Sequence, residues 1–207
     1  MAPALQLIRP IGALQAPPQE QARPRAWALG SLVGRLAELS STRAGAQLTF
    51  AIGLVREAQL TGETAAWIGP RTSSFFPPDA QGGGVDLSAL PMVRLPTAQE
   101  MGRAADQLLR SGAFGLLCLD LGLDRLADPL LTRLLGLAQK HAAAVLFLTE
   151  KPSDAPSLSS LISLRAEVQR TRREAGRFVC ELRALKDKRR SPGWTFSEEA
   201  DGPAGLR

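Results

Sequence analysis

Lys186 and Lys188 stand two residues apart in the run Leu185-Lys186-Asp187-Lys188-Arg189-Arg190. On a strand, residues i and i+2 project from the same face, so the pair could present two ammonium groups to one phosphate cluster. An edge strand guarded by lysines against aggregation has the same pattern, and composition alone favours that plainer reading. The other place for phosphate chemistry is the first strand-to-helix junction, where helix N–H groups and a Gly-rich turn would cradle an anion. That junction reads Ser40-Ser41-Thr42-Arg43-Ala44-Gly45-Ala46-Gln47-Leu48. It has a single glycine and no lysine, and Leu48 stands where a hydroxyl should meet a metal ion. Glutamine cannot neutralise a phosphate and leucine cannot ligate magnesium. Arg43 could still draw an anion to the helix end, which leaves weak nucleotide binding open without turnover.

Asp120, after an apolar run, has the form of a carboxylate that holds magnesium through water. A cap or turn former at the end of a buried strand has the same form. His141, followed by three alanines, suits a helix C-terminus, where partial positive charge is favoured. Cys118 and Cys180 lie far apart in apolar surroundings, with no CxxC and no second histidine, which removes the raw material for disulfide scaffolds, zinc sites and Cys/His catalysis. No serine, cysteine or carboxylate has an identifiable base partner. The expectation is a protein without catalytic residues, cofactor or metal, and not an enzyme.

The chain has 207 residues, 44% apolar and 22% charged, with a net charge of +5, as for one folded domain. Residues 165–190 hold ten basic and four acidic residues, so this stretch carries the excess and the rest is near neutral. Such a stretch is either a solvated face or a surface for phosphate or an acidic partner. The longest apolar stretches, 113–119 and 142–148, fall far short of the ~20 residues needed to span a bilayer. Arg9 and Pro10 interrupt the opening before a signal-like apolar region forms, so no membrane and a cytoplasmic location are expected.

The elements that must position these residues can be read from period and punctuation. Residues 1–26, with five prolines, form an extended arm. A core over 27–198 follows, and 199–207 is a flexible tail. Strands are predicted at 36–39, 64–68, 92–95, 116–119 and 144–148, the last two as buried apolar runs. Helices are predicted at 46–60, from Thr97 to Gly112, and from Asp128 as N-cap with Pro129 at the first helical position. Thr97 with Glu100 makes a capping box, and Met101, Ala104, Ala105, Leu108 and Leu109 form the apolar stripe. Residues 69–84, with Pro77, Pro78 and glycines 82–84, read as a long loop. Alternating strands and helices indicate a mostly parallel sheet with helices on both faces, and 161–168, 178–185 and 194–196 read as an antiparallel hairpin and last strand extending it.

The order of these elements and the residues themselves resemble the RecA recombinase core. Gly34-Arg35-Leu36-Ala37-Glu38-Leu39 is similar to its opening strand, and Glu57-Ala58-Gln59 through Thr64-Ala65-Ala66-Trp67-Ile68 to its first helix and second strand. Gly84-Val85-Asp86-Leu87 and the run from Ala105 to Ala113 resemble its next strand and helix, and 182–188 its late strand. The resemblance implies a RecA-like α/β fold over roughly 34–198. It places the family's phosphate-loop lysine on Gln47, its metal-binding hydroxyl on Leu48 and its catalytic glutamate on Arg71, so all three are lost. The connections after Asp120 and Thr149 are short where RecA carries its DNA-contacting loops, which implies weak or no direct DNA binding. In RecA filaments a Lys-x-Lys pair on the late strand reaches the nucleotide of the adjacent subunit, and Lys186 and Lys188 fall on those positions, with Arg189 and Arg190 beside them.

Size, degeneracy and the basic C-terminal strand region together resemble the ImuA family. The resemblance implies an accessory role in SOS mutagenesis and translesion synthesis after DNA damage. The partners it implies are RecA, an ImuB-like polymerase homologue and an error-prone polymerase. A SulA-like division inhibitor that binds FtsZ, or a basic single-stranded-DNA binder using 165–190, are the alternatives.

Overall fold

The computed structural model describes residues 26–42, 45–173 and 177–201. The arm at 1–25, the junction residues Arg43 and Ala44, the hairpin tip 174–176 and the end 202–207 lie outside the described residues. Within them run α1 (Leu29–Leu32), β1 (Arg35–Ser41), α2 (Gln47–Leu60), β2 (Ala65–Gly69), α3 (Pro77–Gly82), a 3-10 turn (Leu87–Ala89) and β3 (Met92–Arg94). They are followed by α4 (Ala98–Ser111), β4 (Leu116–Gly122), α5 (Asp128–Lys140), β5 (Ala144–Glu150), β6 (Leu164–Arg172), β7 (Arg177–Asp187) and β8 (Thr195–Asp201).

The strands form one eight-stranded sheet in the order β3-β2-β4-β5-β1-β6-β7-β8. From β3 to β6 every pairing is parallel, while β6–β7 and β7–β8 are antiparallel. The protein is therefore an α/β fold with a mostly parallel sheet and an antiparallel C-terminal extension, as the alternation of elements implies. Strand side chains alternate between two cores. Leu39, Trp67, Cys118 and Leu146 pack under Phe50, Leu54 and Val55 of α2 and Ala80 of α3. Ile68, Leu117, Val145 and Phe147 pack under Met101, Ala105 and Leu109 of α4 and Leu131 and Leu134 of α5. Each fully buried large apolar side chain contributes ~1.5–3 kcal/mol, which is why strands covered on both faces read as continuous apolar runs.

Local chemistry fixes the boundaries. The Thr97 hydroxyl accepts the Glu100 N–H at 3.2 Å and Gly112 closes α4 at φ 68°, a left-handed turn that glycine adopts without strain. At α5 the cap is Ala127, and Asp128 and Pro129 occupy the first turn, one position inward of the expected N-cap. The predicted loop at 69–84 contains α3: Pro77 and Pro78 need no N–H partner in a first helical turn, and Ala80 buries itself in the core. β8 continues to Asp201, beyond the boundary expected at 198, because Phe196 and Ala200 face the core while Thr195, Ser197 and Glu199 face solvent. No helix among the described residues is long and apolar enough to cross a membrane.

Candidate functional site

The parallel strands end together at one edge of the sheet, and the residues at the expected nucleotide positions collect there. α2 starts directly behind the carboxyl end of β1, so Gln47 reaches across that edge. Its side-chain amide donates to the Thr149 carbonyl at 2.6 Å and to the Leu39 carbonyl at 3.4 Å, tying β5 and β1 together. Leu48 turns to the α2-side core, against which it packs. Gly45 lies so close to β1 that a Cβ there would overlap the Ser41 side chain and stand 3.2 Å from the Val168 carbonyl. Gly45, the described glycine of the turn that would have to open around phosphates, is thus packed onto strand residues, and the position where a lysine would meet an anion is engaged with carbonyls.

Asp120 sits two strands away, at the end of β4. Its Oδ2 accepts the Ser73 hydroxyl at 2.5 Å, and the same hydroxyl oxygen accepts the Phe75 N–H at 3.1 Å, so the carboxylate anchors the loop after β2. Arg71 is exposed on the turn of that loop. Arg43 lies outside the described residues.

The lysine pair occupies a separate place. Lys186 lies opposite Arg165 across the β6–β7 pairing, and Arg165 lies opposite Glu38 across β1–β6. Both ammonium groups converge on one acceptor, the Ser160 carbonyl, at 3.4 Å for Lys186 and 2.7 Å for Lys188. The i, i+2 spacing does place them on one side. Burial, and then the ammonium of Lys188, hold the Lys186 group below the ordinary lysine range.

The connector carrying Ser160 is held from beneath by charged groups that composition and spacing did not single out. Glu38 is fully buried; its carboxylate accepts the Thr149 hydroxyl at 2.9 Å and the Leu158 N–H at 3.0 Å, and pairs with Lys151. Lys151 also donates to the Pro156 carbonyl at 2.7 Å. Arg165, buried, donates to the Pro152 carbonyl at 2.7 Å, to the Ala155 carbonyl, and to the Ser40 hydroxyl at 3.3 Å. The signal available in sequence was a glutamate flanked by the apolar residues Leu36, Ala37 and Leu39 of the predicted strand.

Arg189 does not join the lysines. Its guanidinium donates to the Val33 carbonyl at 3.0 Å and the Ser31 carbonyl at 3.5 Å, holding the end of α1. Between them Asp187 forms a buried ion pair with Arg35 at 2.5 Å and accepts the Trp194 indole N–H at 3.1 Å, which pins the end of β7 and fixes where the lysines emerge. Arg190 is exposed.

Much of the basic stretch is used within the sheet. Arg183 pairs with Glu167 at 2.6 Å, Arg170 stacks 4.7 Å over the Phe178 ring, and Arg165 is internal. Trp194 and Phe196 pack against the core. His141 ends α5, its N–H donating to the Leu137 carbonyl. Cys118 and Cys180 are buried free thiols that burial pushes up. Among the described residues no group of histidine, cysteine and carboxylate side chains could hold a metal ion. No known family model matches the chain, and no curated protein matches it significantly.

Proposed function

We propose that this chain is a non-catalytic, RecA-like accessory protein of translesion DNA synthesis, of the ImuA type. It docks on RecA through Lys186 and Lys188, and bridges RecA to an ImuB-like polymerase homologue and an error-prone polymerase in the cytoplasm. The observation that carries the reading is the convergence of the two ammonium groups on the Ser160 carbonyl. Two cations held together at the surface end of a pinned strand are arranged for an anion such as the nucleotide bound by a neighbouring subunit. Each charge-assisted contact is worth ~1.5–3 kcal/mol, so the pair can decide docking.

The other half of the reading rests on Gln47 and Gly45. Among the described residues of the junction, Gly45 is packed onto Ser41 and Gln47 is tied to Thr149, which supports a subunit without a phosphate cradle of its own. It would join one end of a RecA filament and stop there, without a cofactor or direct DNA binding.

The test is binding of the wild type and of Lys186→Ala/Lys188→Ala to RecA, free and as ATP-loaded filaments on single-stranded DNA. The double variant should bind at least about tenfold more weakly while keeping its circular dichroism spectrum. Equal binding by both would remove the lysine mechanism. No binding by the wild type would remove the RecA reading and turn the search to FtsZ and to single-stranded DNA.

A further inference from the structure

The two edges of the sheet are unequal. β3 is three residues long, a length that protects an edge. β8 is seven residues long and its pairing with β7 has no register shift. It reads Thr195-Phe196-Ser197-Glu198-Glu199-Ala200-Asp201, with no proline and no lysine to blunt it.

The hydrogen-bond phase of β8 follows from its first turn. Gly193, at φ 94°, donates to the Ala184 carbonyl at 2.8 Å while the Ala184 N–H donates to the Trp194 carbonyl at 2.9 Å, which is the glycine-led bulge pattern. Counting in twos along the antiparallel register, Phe196 and Glu198 exchange bonds with Leu182 and Cys180. Thr195, Ser197 and Glu199 therefore turn their N–H and C=O groups outward, to an edge that no other strand among the described residues pairs. Their side chains share the sheet face opposite the α2 side, where an open groove of about 320 Å³ is lined by Glu167, Gln169, Glu181, Arg183, Thr195 and Ser197. Arg183 is already bridged to Glu167 at 2.6 Å, and Glu199 makes only a long, exposed 3.9 Å contact with Arg177, while Glu181 has no cation within ion-pair distance among the described residues.

We infer that β8 is a docking edge for an extended basic segment of another protein, which adds to the sheet antiparallel or parallel as a further strand. The main-chain groups of Thr195, Ser197 and Glu199 supply the ladder, and lysine or arginine side chains at alternate positions lie over Glu181 and Glu199. Charge decides the occupant. β8 carries Glu198, Glu199 and Asp201 and no cation, in a chain whose net charge is +5. A second copy would bring another β8 of the same negative charge to this edge, and like charges across a strand pair are destabilising, whereas a basic segment would be attracted. This inference is independent of the RecA reading.

The probe is a fluorescein-labelled peptide of alternating lysine and valine, beside the same peptide N-methylated at alternate amides and a glutamate/valine counterpart. The wild-type full chain should bind the first, should bind the N-methylated form at least about tenfold more weakly, and should not bind the acidic one. Ser197→Pro removes an outward N–H without touching the β7–β8 ladder, so it should fold and lose binding to a similar degree. Should that variant fail to fold, Glu199→Lys tests the charge term, and hydrogen exchange of the wild-type Ser197 amide should slow when the lysine peptide is added. Equal affinity for the methylated and unmethylated peptides would overturn strand addition. Preference for the acidic peptide, or a wild-type dimer that Ser197→Pro dissolves, would overturn the assignment of a basic partner.

Discussion

The side-chain amide of Gln47 lies 2.6 Å from the Thr149 carbonyl oxygen and joins the start of α2 to the carboxyl end of β5. Under the proposed RecA-like reading a lysine at this place would be a phosphate ligand, whereas glutamine uses the position to tie two strand ends together. Replacing Gln47 by alanine should cost about 1–2 kcal/mol, since it leaves a carbonyl at a packed edge without its donor, and urea denaturation reads this directly. Gln47→Lys should acquire no calorimetric affinity for magnesium ATP, because Gly45 remains against Ser41 and Leu48 stays in the core. Heat of binding in that variant would show that the junction opens.

Arg35 and Asp187 form the most enclosed ion pair described, with side chains 4% and 1% exposed. Asp187→Asn should destabilise by about 3–5 kcal/mol, because it strands a buried guanidinium. Burial raises the carboxyl pKa, but the Arg189 N–H, Arg35 and the Trp194 indole outweigh it and hold the group below the ordinary aspartate value of 3.8. A carboxylate with a depressed folded pKa contributes stability that is present above the unfolded value and lost as pH falls through the folded one. The gap between wild type and Asp187→Asn in urea midpoint should therefore hold at neutral pH and shrink below about pH 4.

How much of this was legible before the structure depends on whether the signal was local. α4 is written in its own residues: Thr97, Glu100 and Gly112 cap it and Met101, Ala105 and Leu109 repeat at the helical period. The same-side placement of Lys186 and Lys188 follows the two-residue period of a strand even though β7 ends at Asp187, because the Lys188 N–H still bonds the Ser163 carbonyl at 2.8 Å. The acceptor they share, Ser160, could not be read, because it arrives through a connector that is ordered by Glu38, Lys151 and Arg165. Glu38 and Lys151 meet only once β1 and β5 pair in parallel, a relation with no trace in sequence spacing. Arg189 is adjacent to the lysines in sequence, and its guanidinium reaches the Val33 and Ser31 carbonyls at the end of α1, a contact that adjacency does not reveal. α3 was hidden because prolines signal both loops and helix starts.

Cys118 and Cys180 should be silent toward alkylation in the folded protein. Both are buried, and loss of solvation pushes each thiol up, away from the reactive thiolate. Iodoacetamide at pH 8 should modify neither in native buffer and both in guanidinium, as counted by intact mass. Native modification of Cys180 alone would mean that β8 opens from β7, since Glu198 of β8 covers that register.

The lysine pair carries its own electrostatic signature, independent of any partner. Lys186 titrates below the ordinary lysine range first because it is partly buried and then because Lys188 places a second cation on the same carbonyl, with Glu38 opposing. A lysine whose folded pKa is depressed binds fewer protons folded than unfolded, so it costs stability in full below its folded midpoint, and the cost fades as pH rises toward the ordinary value of ~10.4. Lys188→Ala removes the repulsion. The Lys186 midpoint, followed by the carbon shift beside its ammonium in NMR, should move upward, and inorganic pyrophosphate added to the wild type should move it the same way by neutralising the pair. A midpoint that ignores both changes would mean that the two ammonium groups do not share a site in solution, and the pair would lose its standing as an anion-binding unit.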